Sequence, residues 1–254
     1  MIGTLYIVST PIGNLEDLTY RAHRILQEVN IIAAEDTRHT QKLCQHYGIT
    51  TILTSYHDFN KETKTPVLLE KLREGQSIAL VSDAGTPLIS DPGYYLLTRA
   101  IAENIPIVPI PGPSAILTAL AASGLPTDTF RYEGFLPRKS TARTRALQAL
   151  AEVPQTVILF ETPHRIQATL MAISKSFGDR RLVIARELTK TFEEILRGTA
   201  ADIMERWKNR SPKGEITLVI AGKPKVKKQP KRKMGVKDQP SESEPDGLSP
   251  EVLE

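Results

Sequence analysis

Short apolar runs alternate with stretches of helical spacing along the first half of the chain. The runs Leu5 to Ser9, Val29 to Ala34 and Ser77 to Val81 are mostly apolar and have the length of buried strands. Between them, in 18–28 and 94–102, apolar residues recur three or four positions apart, which is typical of amphipathic helices. Strands that alternate with helices predict an α/β fold with a mostly parallel sheet and right-handed crossovers.

The same alternation continues in the second half, where Thr156 to Phe160 and Leu182 to Ala185 are predicted strands. The segment Leu125-Pro126-Thr127-Asp128 is the expected linker between the halves. The sequence therefore predicts two α/β domains with mostly parallel sheets, residues 1–124 and residues 125–222.

Two prolines are expected to mark the starts of helices, because proline is favoured at the first helical position. Thr65-Pro66 precedes a leucine-rich helix, and Asp91-Pro92 precedes the helix predicted at 94–102. The residue before each proline would be the N-cap, with a side-chain oxygen that accepts from the first helical amides.

Composition changes the picture at the C-terminus. Residues 223–237 contain eight Lys or Arg and no acid, and residues 238–254 contain six acids and no base. With five prolines and few large apolar residues, 223–254 is predicted to be a disordered charged tail. Its basic part is suited to contacting RNA, and a solvated tail without a specific partner is the alternative.

The cysteine and histidine content narrows the class of protein. The chain has one cysteine, Cys44, so it forms no internal disulfide, which fits a reducing cytoplasm. His39, His46 and His57 lack the spacing of metal ligands, so we expect no metal site. Neither a secretion signal nor an apolar run long enough to span a membrane is expected.

The segment Ser82 to Gly93 carries the most suggestive chemistry. It follows a predicted buried strand and precedes a predicted helix, which puts it at the carboxyl edge of the sheet, where α/β proteins bind ligands. Gly85 and Gly93 would allow close approach of a ligand or positive φ, and Asp83 could accept hydrogen bonds from it. An ordinary strand-to-helix turn is the alternative.

Further polar or Gly/Pro-rich loops follow other predicted strands, at 10–14, 111–115, 161–165 and 185–190. The chain has no GxxxxGK[ST] and no GxGxxG after its first strand, which argues against a nucleoside triphosphatase or a standard dinucleotide enzyme. HExxH and GxSxG are absent as well. A ligand that needs backbone amides, one carboxylate and an apolar slot fits what remains.

These loops together carry a resemblance to a known family. The motifs are Tyr6 to Leu15, Ala34-Glu35-Asp36-Thr37-Arg38, Ser82 to Gly93, Pro111 to Ala115, Phe160 to Arg165 and Ala185 to Thr191. The set resembles the tetrapyrrole-methylase-like (class III) S-adenosylmethionine methyltransferases. Within them it is most similar to the branch that methylates the ribose 2′-hydroxyl of a cytidine in the decoding region of 16S rRNA, in the small ribosomal subunit. The resemblance covers about residues 4–222.

The resemblance implies that S-adenosylmethionine binds in the cleft between two domains and that the protein forms a homodimer. The cofactor-binding residues that it implies are Pro11, Asp83, Ala84, Gly85, Thr86, Asp91, Ser114, Ala115, Phe160, Glu161, Ala185, Gly214, Glu215 and Thr217. Ala84 stands where related enzymes carry a proline.

A ribose hydroxyl must lose its proton, so a nearby base is expected. The candidates are Glu161, Glu187, Lys190 and, ranked below these three, His164, and a structural ion pair is the alternative for each. The residues expected to contact RNA phosphates are Arg38, Arg138, Lys139, Arg143, Arg165 and Arg186. For the last two, a salt bridge to a nearby glutamate is the alternative.

Two other functions remain open from the sequence. A methyltransferase of the same fold could act on a tetrapyrrole or a protein side chain, but the basic surface favours a polyanion. A non-catalytic ribosome-assembly factor could bind RNA without the cofactor, but the presence of Gly85, Pro87, Asp91 and Gly112 in the loops argues against it.

Overall fold

The first half of the chain builds a parallel sheet. In the computed structural model, which describes residues 1–208, 210 and 212–224, five strands lie in the order β3-β2-β4-β1-β5. They are β1 (Leu5–Val8), β2 (Ile31–Ala34), β3 (Ile52–Ser55), β4 (Ile78–Val81) and β5 (Ile107–Ile110). Neighbouring strands run parallel throughout. Strands β2 and β4 are buried at every position, as expected for apolar strands covered on both faces.

Helices cover both faces of this sheet. They are α1 (Tyr20–Glu28), α2 (Thr37–Tyr47), α3 (Lys61–Arg73) and α4 (Tyr94–Ala102), with a 3₁₀ turn at Leu15–Asp17. Helix α5 (Ala115–Ser123) follows β5 and packs outside the two apolar clusters of this sheet. Successive strand residues point to opposite faces, so Leu80 packs in one apolar cluster with Leu96, and Val81 packs in another with Leu26. Each face of the sheet therefore has its own core.

The predicted helix start at Thr65-Pro66 is wrong. Helix α3 begins at Lys61 and contains Pro66 in its interior. Pro66 has no N–H to donate to the carbonyl of Glu62. The helix tolerates this because its own residues Thr65, Leu68 and Leu69 are buried, so the free energy gained by tertiary packing outweighs the lost hydrogen bond.

The second half adds another sheet. Within the described residues, its five strands lie in the order β6-β7-β10-β8-β9. They are β6 (Phe130–Phe135), β7 (Thr156–Glu161), β8 (Leu182–Arg186), β9 (Glu194–Gly198) and β10 (Ile216–Ile220), joined in part by α6 (Ser140–Ala151), α7 (Ile166–Phe177) and α8 (Ala200–Arg206). Trp207 is buried in the core that these helices form on the sheet.

The α/β fold is confirmed, but the expectation of mostly parallel strands is wrong for this second sheet. Strands β6 and β7 are parallel, whereas β10 runs antiparallel to β7 and β8, and β9 runs antiparallel to β8. The physical reason is the short connection 187–193, which is too short for a helical crossover and reverses the chain. Helix α8 then returns the chain so that β10 is inserted between β7 and β8.

Helix α5 links the two sheets. It follows β5 of the first sheet, yet its Ile116 and Leu120 pack in one apolar cluster with Ile158, Val183 and Val219 of the second. Met1–Lys223 accordingly forms one compact unit. The predicted domain boundary at residue 124 stays a prediction, and the predicted tail lies, beyond Pro224, outside the described residues.

No helix in the described part of the chain combines the length and the apolar character needed to cross a membrane.

Candidate active site

A cleft of about 530 Å³ opens where the two sheets meet. The first half contributes Asp83 to Thr86 after β4 and Ser114 to Ile116 at the start of α5. The second half contributes Phe160 to Pro163 at the end of β7 and Gly214 to Thr217 at the start of β10. Five of the six motifs that carried the resemblance therefore contribute residues to this cavity, and the motif Ala185 to Thr191 does not.

The loops after β1 and β4 are tied together by hydrogen bonds. The backbone N–H of Thr10 donates to the Gly85 carbonyl at 2.9 Å, and the Gly85 N–H donates to the Thr10 carbonyl at 3.0 Å. The Thr10 hydroxyl also donates to the Ser82 carbonyl at 3.2 Å. These bonds fix the backbone that forms one wall of the cleft.

The prediction that Asp91 is an N-cap is wrong. Helix α4 begins after Gly93, whose φ of 133° lies outside the range of ordinary residues. A Cβ at Gly93 would lie 2.7 Å from Leu80 Cδ2, so packing also requires glycine there. Asp91 instead lines the cleft, where burial raises the pKa of its carboxyl against the effect of a hydrogen bond with Ser82.

Three carboxylates form an acidic wall in the cleft, namely Glu35, Asp83 and Asp91. Asp83 Oδ1 accepts from the Asp36 N–H at 3.0 Å. Burial raises the pKa of Glu35, and the charges of Asp91 and Asp83 raise it further. A site in which negative charges are crowded together suits a ligand with positive charge.

Glu35 was part of a motif but was not predicted as a site residue. It follows β2 directly, and β2 pairs with β4 so that Ala34 lies beside Val81. This register brings Glu35 close to Asp83, although the two residues are far apart in the sequence. Only the order of the strands reveals the pairing.

Two other parts of the cleft differ in chemistry from the acidic wall. Ser114 is the N-cap of α5, so the amides at Ala115 and Ile116 form the positive end of a helix, which favours an anionic group. Phe160 forms an aromatic wall, with ring centroids 5.1 Å from Tyr132 and 5.7 Å from Phe135. A flat apolar ring would pack well against it.

Most of the predicted cofactor residues line the cleft. They are Asp83, Ala84, Gly85, Thr86, Asp91, Ser114, Ala115, Phe160, Glu161, Gly214, Glu215 and Thr217. Pro11 and Ala185 are buried and do not line it. Ala185 belongs instead to the apolar cluster that α5 forms with the second sheet. The residues that line the cleft but were not predicted are Ile12, Glu35, Ile89, Ser90, Ile116, Phe135, Thr162, Pro163 and Ile216. Most of these are apolar or small and carry no chemical signal in the sequence.

Among the candidate bases, Glu161 is enclosed. Its side chain is 0% exposed, and it accepts from the Thr169 hydroxyl at 2.6 Å and from the Thr162 N–H at 2.8 Å. Arg165 Nε lies 3.3 Å from Oε1. The carboxylate therefore holds β7 and α7 together and fixes Thr162 at the cleft.

Glu187, Lys190 and Glu215 form a second network at the edge of the cleft. Lys190 Nζ donates to Glu187 Oε1 at 2.9 Å and to Glu215 Oε2 at 3.0 Å. Burial alone would lower the pKa of Lys190, but these two bonds raise it above its ordinary value. Lys190 therefore stays charged. Burial likewise opposes ionisation of Glu187, yet the bonds from Lys190 and from the Glu215 N–H lower its pKa.

The predicted RNA-binding residues divide into exposed and internal groups. Arg138 and Lys139 are exposed beside the start of α6, Arg143 is half-buried on that helix, and Arg38 is exposed but bonded through two nitrogens to Asp36. That side-chain pair, with the Arg38 N–H, holds the pKa of Asp36 well below its usual range.

Arg165 and Arg186 are used internally. Arg165 pairs with Glu161 and donates to the Leu136 carbonyl at 2.6 Å. Arg186 is 7% exposed, and each of its three nitrogens donates to another part of the chain. The expectation that these two guanidinium groups contact phosphate directly is not supported, because they serve as ties within the fold. No cluster of potential metal ligands occurs among the described residues.

Comparisons with known proteins agree with this arrangement. Residues 4–204 match the family Tetrapyrrole (Corrin/Porphyrin) Methylases. The chain is 52% identical over 220 residues to a protein of Halalkalibacterium halodurans called ribosomal RNA small subunit methyltransferase I, covering 87% of this chain and 76% of that one. A Synechocystis protein of the same name is 53% identical over 222 residues, covering 87% and 80%.

A solved structure has the same fold. It is uroporphyrin-III C-methyl transferase from Thermus thermophilus, complexed with S-adenyl homocysteine, with a TM-score of 0.59 at 18% identity, covering 85% of this chain and 97% of that one.

Proposed function

Because the chain belongs to the tetrapyrrole (corrin/porphyrin) methylase family, and within it groups with the ribosomal RNA small subunit methyltransferases I, we propose that it methylates the ribose 2′-hydroxyl of a cytidine in the decoding region of 16S rRNA. S-adenosylmethionine is the methyl donor. The observation that carries the proposal is the 530 Å³ cleft, which combines an acidic wall, a helix N-terminus and an aromatic wall.

The residues of the cleft fit S-adenosylmethionine. Glu35, Asp83 and Asp91 offer negative charge to its cationic sulfonium and amino groups. The N-terminus of α5 suits its carboxylate, and Phe160 suits the adenine ring. The bound cofactor supplies an electrophilic methyl group, so the protein contributes alignment more than acid–base chemistry.

The proton of the ribose hydroxyl still needs an acceptor. We keep Glu161, Glu187 and Lys190 as candidates, with different parts to play. Lys190 is charged, so it would stabilise negative charge that develops on the hydroxyl oxygen rather than take the proton. Glu161 would act by positioning Thr162, since its oxygens are already occupied. The lowered pKa of Glu187 keeps its carboxylate ionised, so among the three candidates we assign the role of general base to Glu187.

The basic residues Arg38, Arg138, Lys139 and Arg143 support an RNA substrate, since they offer positive charge from both halves of the chain. A folded ribonucleoprotein fits this distribution better than a short oligonucleotide, because dispersed phosphate contacts select by shape. A tetrapyrrole would favour an apolar enclosure, whereas five carboxylate residues line this cleft, the three of the acidic wall together with Glu161 and Glu215. We further propose that the protein acts in the cytoplasm as a homodimer. Light scattering of the purified protein would test whether it is a dimer.

The test is transfer of tritiated methyl groups to small ribosomal subunits that lack the modification, followed by alkaline hydrolysis of the RNA. A 2′-O-methyl ribose blocks cleavage at its own phosphodiester, so the label should appear in an alkali-resistant dinucleotide. Fully modified subunits and short naked RNA are the controls and should take up little label.

The cofactor site is tested in parallel with Asp83→Asn, which keeps an acceptor for the Asp36 N–H but removes the charge. We expect weaker S-adenosylmethionine binding by calorimetry. Label released in a methylated base, or no incorporation by the wild-type protein, would refute the proposed reaction.

A further inference from the structure

A second cavity lies beside the cleft. It measures about 310 Å³ and is lined by Arg186, Glu187, Phe192, Arg210 and Lys213. The Glu187–Lys190–Glu215 network forms a wall between the two spaces, because Glu187 lines the second cavity and Glu215 lines the cleft. The two spaces therefore share this wall, which makes the second cavity a place for the part of a ligand that extends past this edge of the cleft.

The buried Arg186 holds together the chain segments that line the second cavity. Its Nε donates to Glu194 at 2.9 Å. Its two terminal nitrogens donate to the backbone carbonyls of Lys213, at 2.9 Å, and Phe192, at 3.0 Å. One buried guanidinium therefore fixes the main chain of the two residues whose side chains project to solvent.

The side chains that Arg186 holds in place are exposed. Phe192 is 73% exposed, Lys213 is exposed, and the side chain of Arg210 is 51% exposed. Glu194 neutralises part of this charge through its pairs with Arg186 and Arg210, both at 2.9 Å, whereas Lys213 makes no ion pair within the described residues. The rim of the cavity thus presents a free aromatic face next to positive charge.

An aromatic face next to cations is the combination that binds single-stranded nucleic acid. Bases stack on exposed aromatic rings irrespective of sequence, and each stack contributes about 1–3 kcal/mol. Lysine and arginine side chains hold the adjoining phosphates. An exposed phenylalanine on its own would need no explanation, but here a buried arginine fixes its backbone beside a cavity.

We propose that this second cavity is a subsite for a nucleotide that flanks the methylated ribose in the RNA substrate. Phe192 stacks on its base, and Lys213 and Arg210 contact its phosphates. Arg186 is a positioning residue that fixes both sides of the subsite. The inference rests on the proposed function, since it takes the RNA to be the substrate of the neighbouring cleft.

Direct binding tests the subsite without methyl transfer. The probe is fluorescein-labelled hexacytidine RNA, and its anisotropy is followed with the full chain. Phe192→Ala should weaken binding by about tenfold, as expected for the loss of one stacking contact. Phe192→Trp should restore it, because the indole also offers a flat face. Lys213→Ala should lower the slope of log affinity against log salt by about 0.7.

Matched controls separate the subsite from general effects. Phe59 is 98% exposed on the other half of the chain, so Phe59→Ala should bind the probe like the wild type. Lys175→Ala is the corresponding control for charge. Melting temperature and S-adenosylmethionine affinity should be unchanged in Phe192→Ala and Lys213→Ala, because both side chains are exposed.

Methylation of small subunits then separates this inference from the proposed function. Phe192→Ala should raise the KM for subunits by about tenfold and leave kcat unchanged. Wild-type probe affinity and KM in Phe192→Ala, or no probe binding by the wild type at low salt, would overturn the subsite while the reaction could stand. Probe binding that depends on Phe192 without any methyl transfer would retain the second cavity as an RNA-binding site, but it would refute the reaction and with it the place of the cavity beside a methylated ribose.

Discussion

At the scale of single residues, the acidic wall of the cleft favours binding of a cationic ligand but lowers the stability of the ligand-free protein. Glu35, Asp83 and Asp91 lie close enough for their charges to raise one another's energy, and burial adds to the cost for Glu35 and Asp91. A cationic ligand would relieve this repulsion. The ligand-free protein is therefore less stable at neutral pH than it would be with a neutral side chain at one of these positions.

Glu35→Gln tests this conflict. The folded protein holds the pKa of Glu35 above its ordinary value of 4.5, so folding favours the protonated form. Wild-type stability should therefore fall as the pH rises from about 4.5 through the raised pKa, and the variant should escape this loss. We expect the ligand-free variant to melt about 1–3 °C higher at pH 8, with little difference at pH 4.

The same substitution should weaken S-adenosylmethionine binding at pH 8, because one attractive charge is gone. Differential scanning fluorimetry and calorimetry measure the two effects. Glu62→Gln, on an exposed position of α3, is the control. A variant that melts below the wild type at pH 8 would show that the Glu35 carboxylate stabilises the ligand-free fold.

Single residues also show where sequence reasoning stops. Asp83 and Gly85 were predicted for the cleft because their chemistry and their place after a strand are visible in the sequence. For Arg186, the alternative of a salt bridge to a nearby glutamate is confirmed by its pair with Glu194. Its bonds to the backbone carbonyls of Phe192 and Lys213 could not be predicted, since any residue type provides a carbonyl. An arginine in a functional motif thus looks the same whether it holds a phosphate or the fold.

At the scale of elements, the loop between β4 and α4 depends on how α4 begins. Gly93 is the N-cap, and its backbone lies so close to Leu80 and Leu88 that a Cβ would be within 2.8 Å of both. The Asp–Pro signal suggested a start two residues earlier, because Asp91 and Pro92 are good N-cap and N1 residues in isolation. In the fold, Gly93 packs against Leu80 and Leu88 and the helix begins after it. Asp91 therefore does not cap the helix and lines the cleft instead.

Gly93→Ala and Gly48→Ala compare a glycine whose φ and surroundings both exclude a side chain with one in the ordinary left-handed region that has open space around it. Both glycines have positive φ, 133° and 64°, but a Cβ at Gly93 would lie 2.7 Å from Leu80 and one at Gly48 would meet nothing within 4 Å. We expect Gly48→Ala to cost about 1 kcal/mol of unfolding free energy and Gly93→Ala about 2–4 kcal/mol.

Urea unfolding measures both losses, and Gly93→Ala should also bind S-adenosylmethionine more weakly, because the loop before α4 would shift. Equal losses in the two variants would mean that neither the φ of 133° nor the contact with Leu80 adds to the cost at Gly93.

Elements also explain the wrong strand directions in the second sheet. Alternating strands and helices were visible in the sequence, and they do connect β7 to β8 and β9 to β10 with helices. What periodicity does not contain is which strands become neighbours. A single short connection between β8 and β9 was enough to make three pairings antiparallel.

At the scale of the whole molecule, α5 makes the two sheets depend on each other. The helix is covalently part of the first half, and its N-terminus lines the cleft. Its buried face, with Ile116 and Leu120, completes the core of the second sheet. A cut after residue 124 would leave that apolar face without its partner, so the geometry of the cleft and the stability of the fold rest on the same helix.

Leu120→Ala should therefore destabilise both halves together. Leu120 is 4% exposed, and removing it should cost about 2–5 kcal/mol. The chain offers one probe for each half, its single tryptophan, Trp207, buried in the second core, and its single cysteine, Cys44, buried in the first. Tryptophan fluorescence and thiol labelling during urea unfolding should give coincident midpoints in the wild type and midpoints shifted equally in Leu120→Ala.

Leu117→Ala is the matched control on the same helix, since Leu117 is 56% exposed and should shift neither midpoint. If the halves were independent, Leu120→Ala would move the Trp207 transition alone, because its cluster partners lie in the second sheet, and the Cys44 transition would stay in place. Coincident shifts instead require that disturbing α5 reaches the first sheet through the loops that meet at the cleft. In that case S-adenosylmethionine, bound between the halves, should raise both midpoints by the same amount.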